Sequence, residues 1–166
     1  VNALVVPVAP EVSGTITDVL VSNNQPVKAG QELFQIDVER YQLAVDTAEA
    51  NLDAARQAVG AATAGVAAAD ASVISAVASV TRARQDAIRM RSIREQDPGA
   101  ISERRIESAE ASLAMAEGSL AASKANRDKA VQDLGTEGER NSRILQAQAA
   151  LDQALLNLKR ATVRAP

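Results

Sequence analysis

The side chains that could carry chemistry in this chain are carboxylates and arginines, because histidine and cysteine are both absent. Their absence excludes His- or Cys-ligated metal sites, thiol nucleophiles and Ser-His-Asp hydrolysis. Carboxylates recur at helical spacing, as at Asp46, Glu49 and Asp53, where acidic residues ordinarily form a solvated helix face. Because no bulky residues surround them to form a pocket, we expect neither enzymatic activity nor a cofactor or metal.

Arginine is concentrated between residues 82 and 105. Seven arginines and four acidic residues give this segment a balance of +3 in a chain whose net charge is −3. Guanidinium groups bind carboxylates and carbonyls through paired hydrogen bonds, so we interpret the segment as a protein-docking site. A solubilised coiled-coil end is the alternative interpretation. The negative net charge does not support nucleic-acid binding.

The alanine content of the chain predicts the secondary structure that positions these residues. The chain has 35 alanines in 166 residues and is 46% hydrophobic, yet only 1% aromatic. Alanine is the strongest helix former, and its small side chain lets helices approach closely. The composition therefore predicts a mainly α fold with thin helix-on-helix packing.

A heptad repeat begins soon after residue 38. Position a is Val or Leu from Val45 to Val80, and position d is Ala from Ala48 to Ala83. Seven consecutive heptads predict a coiled coil, and alanine at d predicts closely spaced helices. We expect a first arm over 38–96, within a helical region over 38–161.

A loop over residues 97–101 is expected to join two antiparallel arms. Pro98 and Gly99 end the first helix, and Ser102 is placed to cap the second, which is predicted over 102–161. At 1.5 Å per residue the resulting hairpin would be about 85 to 90 Å long.

The second arm changes its heptad phase by three residues between Leu134 and Ile144. Folding the chain about the loop places four glycines at this level, and we predict a kink, a local unwinding or a close backbone contact there. Glycines lying in an exposed groove are the alternative. The four residues are Gly60, Gly65, Gly135 and Gly138.

Residues 57–81 contain a single charge, Asp70. A membrane span is disfavoured because Asp70 lies near the centre and alanine, the main apolar residue, inserts only weakly. We interpret this stretch as an ordinary solvated, Ala-rich helix. A flank for side-by-side packing of several hairpins is the functional alternative.

Residues 1–37 differ from the rest, because short β-rich runs alternate with turn residues. Their few apolar side chains make at best half a domain, so the sheet should need a second contributor. Three stretches carry a resemblance to a known family: Pro10-Glu11-Val12-Ser13-Gly14-Thr15-Ile16, Asn24-Gln25-Pro26-Val27-Lys28-Ala29-Gly30-Gln31-Glu32-Leu33-Phe34-Gln35-Ile36-Asp37 and Leu156-Asn157-Leu158-Lys159-Arg160-Ala161-Thr162-Val163-Arg164-Ala165-Pro166.

Together they resemble the periplasmic adaptor, or membrane fusion protein, family of tripartite efflux and type I secretion systems, in the HlyD/EmrA style. The resemblance implies a lipoyl-like β-domain that is split by a coiled-coil hairpin. Its first half would be residues 1–37, and its second half would start at 162–166 and continue beyond this chain. An inner-membrane anchor, which the resemblance also implies, is expected outside this chain.

The resemblance implies a periplasmic adaptor that links an inner-membrane transporter to a TolC-like outer-membrane channel, with hairpins assembled into a ring of copies. Arg91 and Ser102 match the spacing of the family's docking motif, whereas Glu95 stands at its Leu position. A coiled-coil spacer without a transport role is the alternative function. The predicted docking residues are Arg91, Arg94, Ile101, Ser102, Arg104 and Arg105.

Overall fold

The computed structural model describes residues 6–166, which form three strands, three α-helices and one 3-10 helix. The strands are β1 (Ile16–Val19), β2 (Glu32–Ile36) and β3 (Thr162–Arg164). The helices are α1 (Val38–Gln96), α2 (Glu103–Leu134) and α3 (Ser142–Arg160), and the 3-10 helix is Gly138–Arg140.

The chain divides into two compact units, which are described separately. The sheet unit comprises the described residues up to Gln57 together with Glu139–Pro166. The hairpin unit comprises Ala58–Gly138. Helix α1 contributes residues to both units.

The sheet unit contains one antiparallel sheet with the strand order β1-β2-β3. Its second contributor is β3, from the far end of the chain, whose Val163 pairs with Phe34 of β2. The amide of Ile36 donates to the carbonyl of Ala161 at 2.8 Å, and Ile36, Ala161 and Val163 are buried. The expected second contributor to the sheet is therefore confirmed, although the described residues do not include a complete lipoyl domain.

The helical core of the sheet unit follows the predicted heptads. The first turns of α1 bury Val45 and Leu52, and α3 buries Ile144, Leu151 and Ala154. Large aliphatic residues at these positions remove much apolar surface from water. Each fully buried side chain stabilises the folded state by about 1.5 to 3 kcal/mol.

In the hairpin unit, α1 and α2 run antiparallel. The order of their ion pairs shows this, because the partners' numbers fall along α2 as they rise along α1: Asp70–Arg127, Arg84–Glu117 and Arg91–Glu110. The a and d positions of α1 from Val59 to Met90 are all buried or half-buried. Those of α2 from Ile106 to Leu120 are all half-buried. The predicted heptad pattern thus matches the burial pattern of α1 over this range and of α2 as far as Leu120.

The second arm, predicted over 102–161 with a kink, an unwinding or a close backbone contact at its glycines, consists of two α-helices with the 3-10 helix between them. Helix α2 ends at Leu134, and Gly135 and Gly138 follow with φ angles of 70° and 68°. This left-handed region is readily open only to glycine. The buried Asn141 then caps α3, since its side chain accepts a hydrogen bond from the amide of Arg143 at 3.0 Å. The backbone therefore unwinds at this level of the second arm.

The other two glycines of the predicted break behave differently. Helix α1 passes through Gly60 and Gly65 without interruption. A Cβ atom added at either residue would meet nothing within 4 Å. The expectation of unwinding or of close backbone contact is therefore wrong for the first arm, where the heptad keeps its phase and every amide stays within a regular helix.

Helix α1 also contains an 18-residue window with a mean hydropathy of 1.5, of which 6% is buried. By length and composition alone this one helix of the described chain is apolar enough to cross a membrane. Asp70, near the centre of the low-charge stretch, is ion-paired with Arg127 of α2 at 2.9 Å.

Replacing Gly14 with alanine should destabilise the sheet unit. The new Cβ would lie 2.5 Å from Cγ2 of Ile36, a methyl group on the branched Cβ of a buried side chain and not the far end of a flexible one. We expect a loss of about 1 to 3 kcal/mol in the free energy of unfolding, measured by hydrogen exchange at the β2 amides.

Gly118→Ala is the matched control, because Gly118 lies inside α2 and its Cβ would meet nothing within 4 Å. This substitution should stabilise α2 by about 1 kcal/mol or less. Unchanged β2 protection in Gly14→Ala would contradict the tight packing of Gly14 on Ile36.

Candidate functional site

The loop end of the hairpin unit is held by local backbone bonds. The amide of Asp97 donates to the carbonyl of Ile93, and the amide of Ala100 donates to the carbonyl of Asp97. The carboxylate of Asp97 also accepts from the amide of Gly99 at 2.9 Å, as aspartate commonly does in turns. The turn therefore needs none of the nearby arginines for its own structure.

Two of the six predicted docking residues pair with α2. Arg91 donates twice to one carboxylate oxygen of Glu110, from Nε at 2.8 Å and from Nη2 at 2.6 Å. Arg94 lies 3.9 Å from Glu103. Arg91 therefore belongs to an interhelical ion pair.

The other four residues begin the second arm. Ile101 is half-buried, whereas Ser102, Arg104 and Arg105 are exposed. Ser102 occupies the predicted cap position, but its side chain makes no cap hydrogen bond. Within residues 6–166, neither Arg104 nor Arg105 makes a side-chain hydrogen bond or an ion pair. The structure therefore places three unbonded polar side chains next to one another at the start of α2.

A row of ion pairs joins α1 to α2 along one flank. Nη2 of Arg84 lies 3.1 Å from Oε1 of Glu117, and Nη2 of Arg91 lies 2.6 Å from Oε1 of Glu110. All four residues occupy position e of their helices, which directly follows position d. In antiparallel coiled coils the e positions of the two helices face each other. Sequence reasoning missed these acidic partners, although the e positions of the two registers identify them.

The pair of Arg127 and Asp70 was also missed. Arg127 lies three heptads after Ile106, so the register places it at position a among apolar residues. Its Nε donates to Asp70 at 2.9 Å, and its Nη1 donates to Asp128 at 3.3 Å. The hydrogen bond to Asp70, then that to Asp128, raises the pKa of the Arg127 guanidinium above its ordinary value. This pair could have been predicted from the sequence, because Asp70 is the single charge of residues 57–81 and the other helix carries a charged residue, Arg127, at position a.

Among residues 6–166, no group of three or more acidic residues is arranged to hold a metal ion.

Ten chains of solved structures are similar to this chain, and one of them is described here. The chain is similar to a chain described as "Structure of the periplasmic adaptor protein EmrA", with 17% identity and a TM-score of 0.43. The match covers 96% of this chain and 62% of that chain. Neither the protein-family models nor the curated proteins give a match. A similarity at this level assigns no family.

Arg127→Leu should raise the melting temperature of the hairpin unit by a few degrees, because an apolar side chain at position a completes the packed seam. Arg127→Asp should lower it, since the new carboxylate would stand beside Asp70 and Asp128. Circular dichroism at 222 nm measures both transitions.

These differences should not change between pH 6 and 9. The pKa of the Arg127 guanidinium is raised in the folded chain. The contribution of this charged group to the free energy of unfolding is therefore fully present at pH values below the ordinary arginine pKa and is lost only at strongly basic pH. A lower melting temperature for Arg127→Leu than for wild type would contradict the assignment of Arg127 to the seam.

Proposed function

We propose that this chain is part of a periplasmic adaptor that links an inner-membrane transporter to a TolC-like outer-membrane channel for efflux or secretion. The observation that carries the proposal is the loop end of the hairpin unit, where Ser102, Arg104 and Arg105 project from an ion-paired coiled coil without partners of their own among residues 6–166. The stretches that resemble the adaptor family support it.

The hairpin unit has the properties that a docking arm needs. Its helices are held together by the heptad seam and by interhelical pairs such as Arg84–Glu117 and Arg91–Glu110. Because the turn is closed by its own backbone bonds, the exposed arginines can engage a partner without unfolding the arm. Guanidinium groups suit carboxylates and carbonyls on a protein surface.

The sheet unit is proposed to belong to a lipoyl-like domain. Strands β1 and β2 come before the helices and β3 comes after them, yet all three form one sheet. A split β-domain of this kind is what the family resemblance implies.

Channel docking is tested by the double variant Arg91→Glu with Ser102→Glu. It places two carboxylates at the loop end and should reduce capture of a purified TolC-like channel at least tenfold, since like charges across an interface are strongly disfavoured. Capture on immobilised full-length adaptor measures the effect.

Arg84→Glu is the matched control, because it breaks the equivalent pair with Glu117 farther from the loop. It should capture as much channel as wild type. Equal capture by the double variant and wild type would contradict docking through the loop end and would leave the coiled-coil spacer as the function.

We further propose that copies of the chain assemble side by side through the low-charge stretch of α1. Ile74 and Val77 lie in this stretch and are 71% and 45% exposed. Apolar side chains so exposed on a helix with few charges are typical of a surface that another molecule covers.

Ile74→Glu should abolish concentration-dependent association of the full-length adaptor in sedimentation velocity experiments. Its melting temperature should stay unchanged, because the side chain makes little contact within its own unit. Met115→Glu is the control, since Met115 is 72% exposed on α2. Sedimentation of wild type as a strict monomer at high concentration would contradict the assembly.

A further inference from the structure

A groove of about 440 Å³ lies between α1 and α2 in the hairpin unit. Alanines at position d explain the open space, because Ala83 and Ala109 leave room that larger residues would fill. With the half-buried Met90 they line the groove with apolar surface. The remaining lining residues are polar: Ser79, Arg82, Asp86, Arg105, Ser108 and Ser112.

The groove lies on the flank opposite the ion pairs. The e positions carry Arg84–Glu117 and Arg91–Glu110, which close that flank with opposite charges. The groove flank instead carries g positions, which precede position a, and these hold serine, Asp86 and Arg105. No ion pair joins α1 to α2 through the groove-lining residues. On the e-position flank of the arm, the charged side chains of the two helices are therefore paired with each other. On the groove flank, the described residues form no such interhelical pair.

Two cations line the open flank without partners. Within residues 6–166, neither Arg82 nor Arg105 makes a side-chain hydrogen bond or an ion pair. Asp86, the carboxylate between them along the groove, lies 3.5 Å from Arg89 of its own helix. The two guanidinium groups therefore keep their full capacity for bidentate binding.

We propose that this groove binds a helical, carboxylate-bearing segment of a partner protein, with its acidic side chains on Arg82 and Arg105. The proposal deepens the docking function, on which its biological setting rests, because Arg105 belongs to both surfaces. According to this proposal, the partner protein contacts the side of the hairpin at the groove as well as the loop.

The dimensions favour a protein segment over a small anion. Along α1 the groove extends from Ser79 to Met90, which is about 16 Å at 1.5 Å per residue. Arg82 lies toward one end, and Arg105, near the loop, lies toward the other. A helix laid along the groove reaches both and covers the apolar floor, as helices do in hydrophobic grooves. Asp86 would repel the continuous negative charge of a nucleic-acid backbone.

Binding is tested by fluorescence anisotropy with the whole chain and a labelled, alanine-based helical peptide that carries glutamates along one face. The same peptide with glutamines is the control probe and should bind at least tenfold more weakly. Arg82→Gln and Arg105→Gln should each weaken binding of the glutamate peptide about five- to tenfold.

Two further variants separate the groove from general charge. Asp86→Asn removes a like charge beside the ligand and should tighten binding about two- to threefold. Arg84→Gln removes the same charge as Arg82→Gln, two residues away on the ion-paired flank, and should change binding less than twofold. Equal losses in Arg84→Gln and Arg82→Gln, or weaker binding in Asp86→Asn, would overturn the proposal.

The remaining outcomes also decide the proposal. No binding of the glutamate peptide at millimolar concentration would overturn it, as would better competition by inorganic phosphate or duplex DNA than by free glutamate peptide. Self-association that Arg82→Gln abolishes would assign the groove to a second copy instead. Channel capture by Arg91→Glu with Ser102→Glu is measured separately, so failure of loop docking is distinguished from failure of the groove.

Discussion

The packing of small and branched side chains along the heptad seam is the constraint on which the rest of this structure depends. Valine, leucine and isoleucine occupy most a positions of α1 and α2, and alanine occupies most d positions of α1. Alanine brings helices close but buries little surface, so each layer contributes little and many layers are needed. This explains why α1 extends over 59 residues and why the larger aliphatic side chains recur so regularly.

Close packing at the seam also determines what the charges do. When two helices approach closely, the residues that flank the seam meet across it, and on one flank of the hairpin unit arginines and glutamates pair. On the other flank the same small side chains leave a groove with unpaired arginines at its rim. The exposed pairs individually contribute little to stability. Their main consequence is that the arginines on the e-position flank are occupied by glutamates of the other helix, whereas the arginines of the groove flank have no partner among residues 6–166.

The two glycine pairs show how far local sequence can be trusted. Gly135 and Gly138 coincide with a change of heptad phase, and the backbone adopts the left-handed region there. Gly60 and Gly65 accompany no phase change, and α1 continues through them. An isolated glycine costs a helix about 1 kcal/mol, which neighbouring alanines and a continuous seam outweigh. The phase of the seam, more than glycine itself, predicted where the helix ends.

Periodicity and turn residues alone determined the mainly α character, the limits of α1, the position of the loop and the β-rich start of the chain. These features arise from interactions between residues a few positions apart, which the sequence displays directly. Only the tertiary structure decided the register in which β3 pairs with β2, that Arg91 pairs with Glu110, and that Arg127 reaches Asp70. Such contacts join residues far apart in the chain. They depend on register and on the distance between elements, and a single sequence carries neither explicitly.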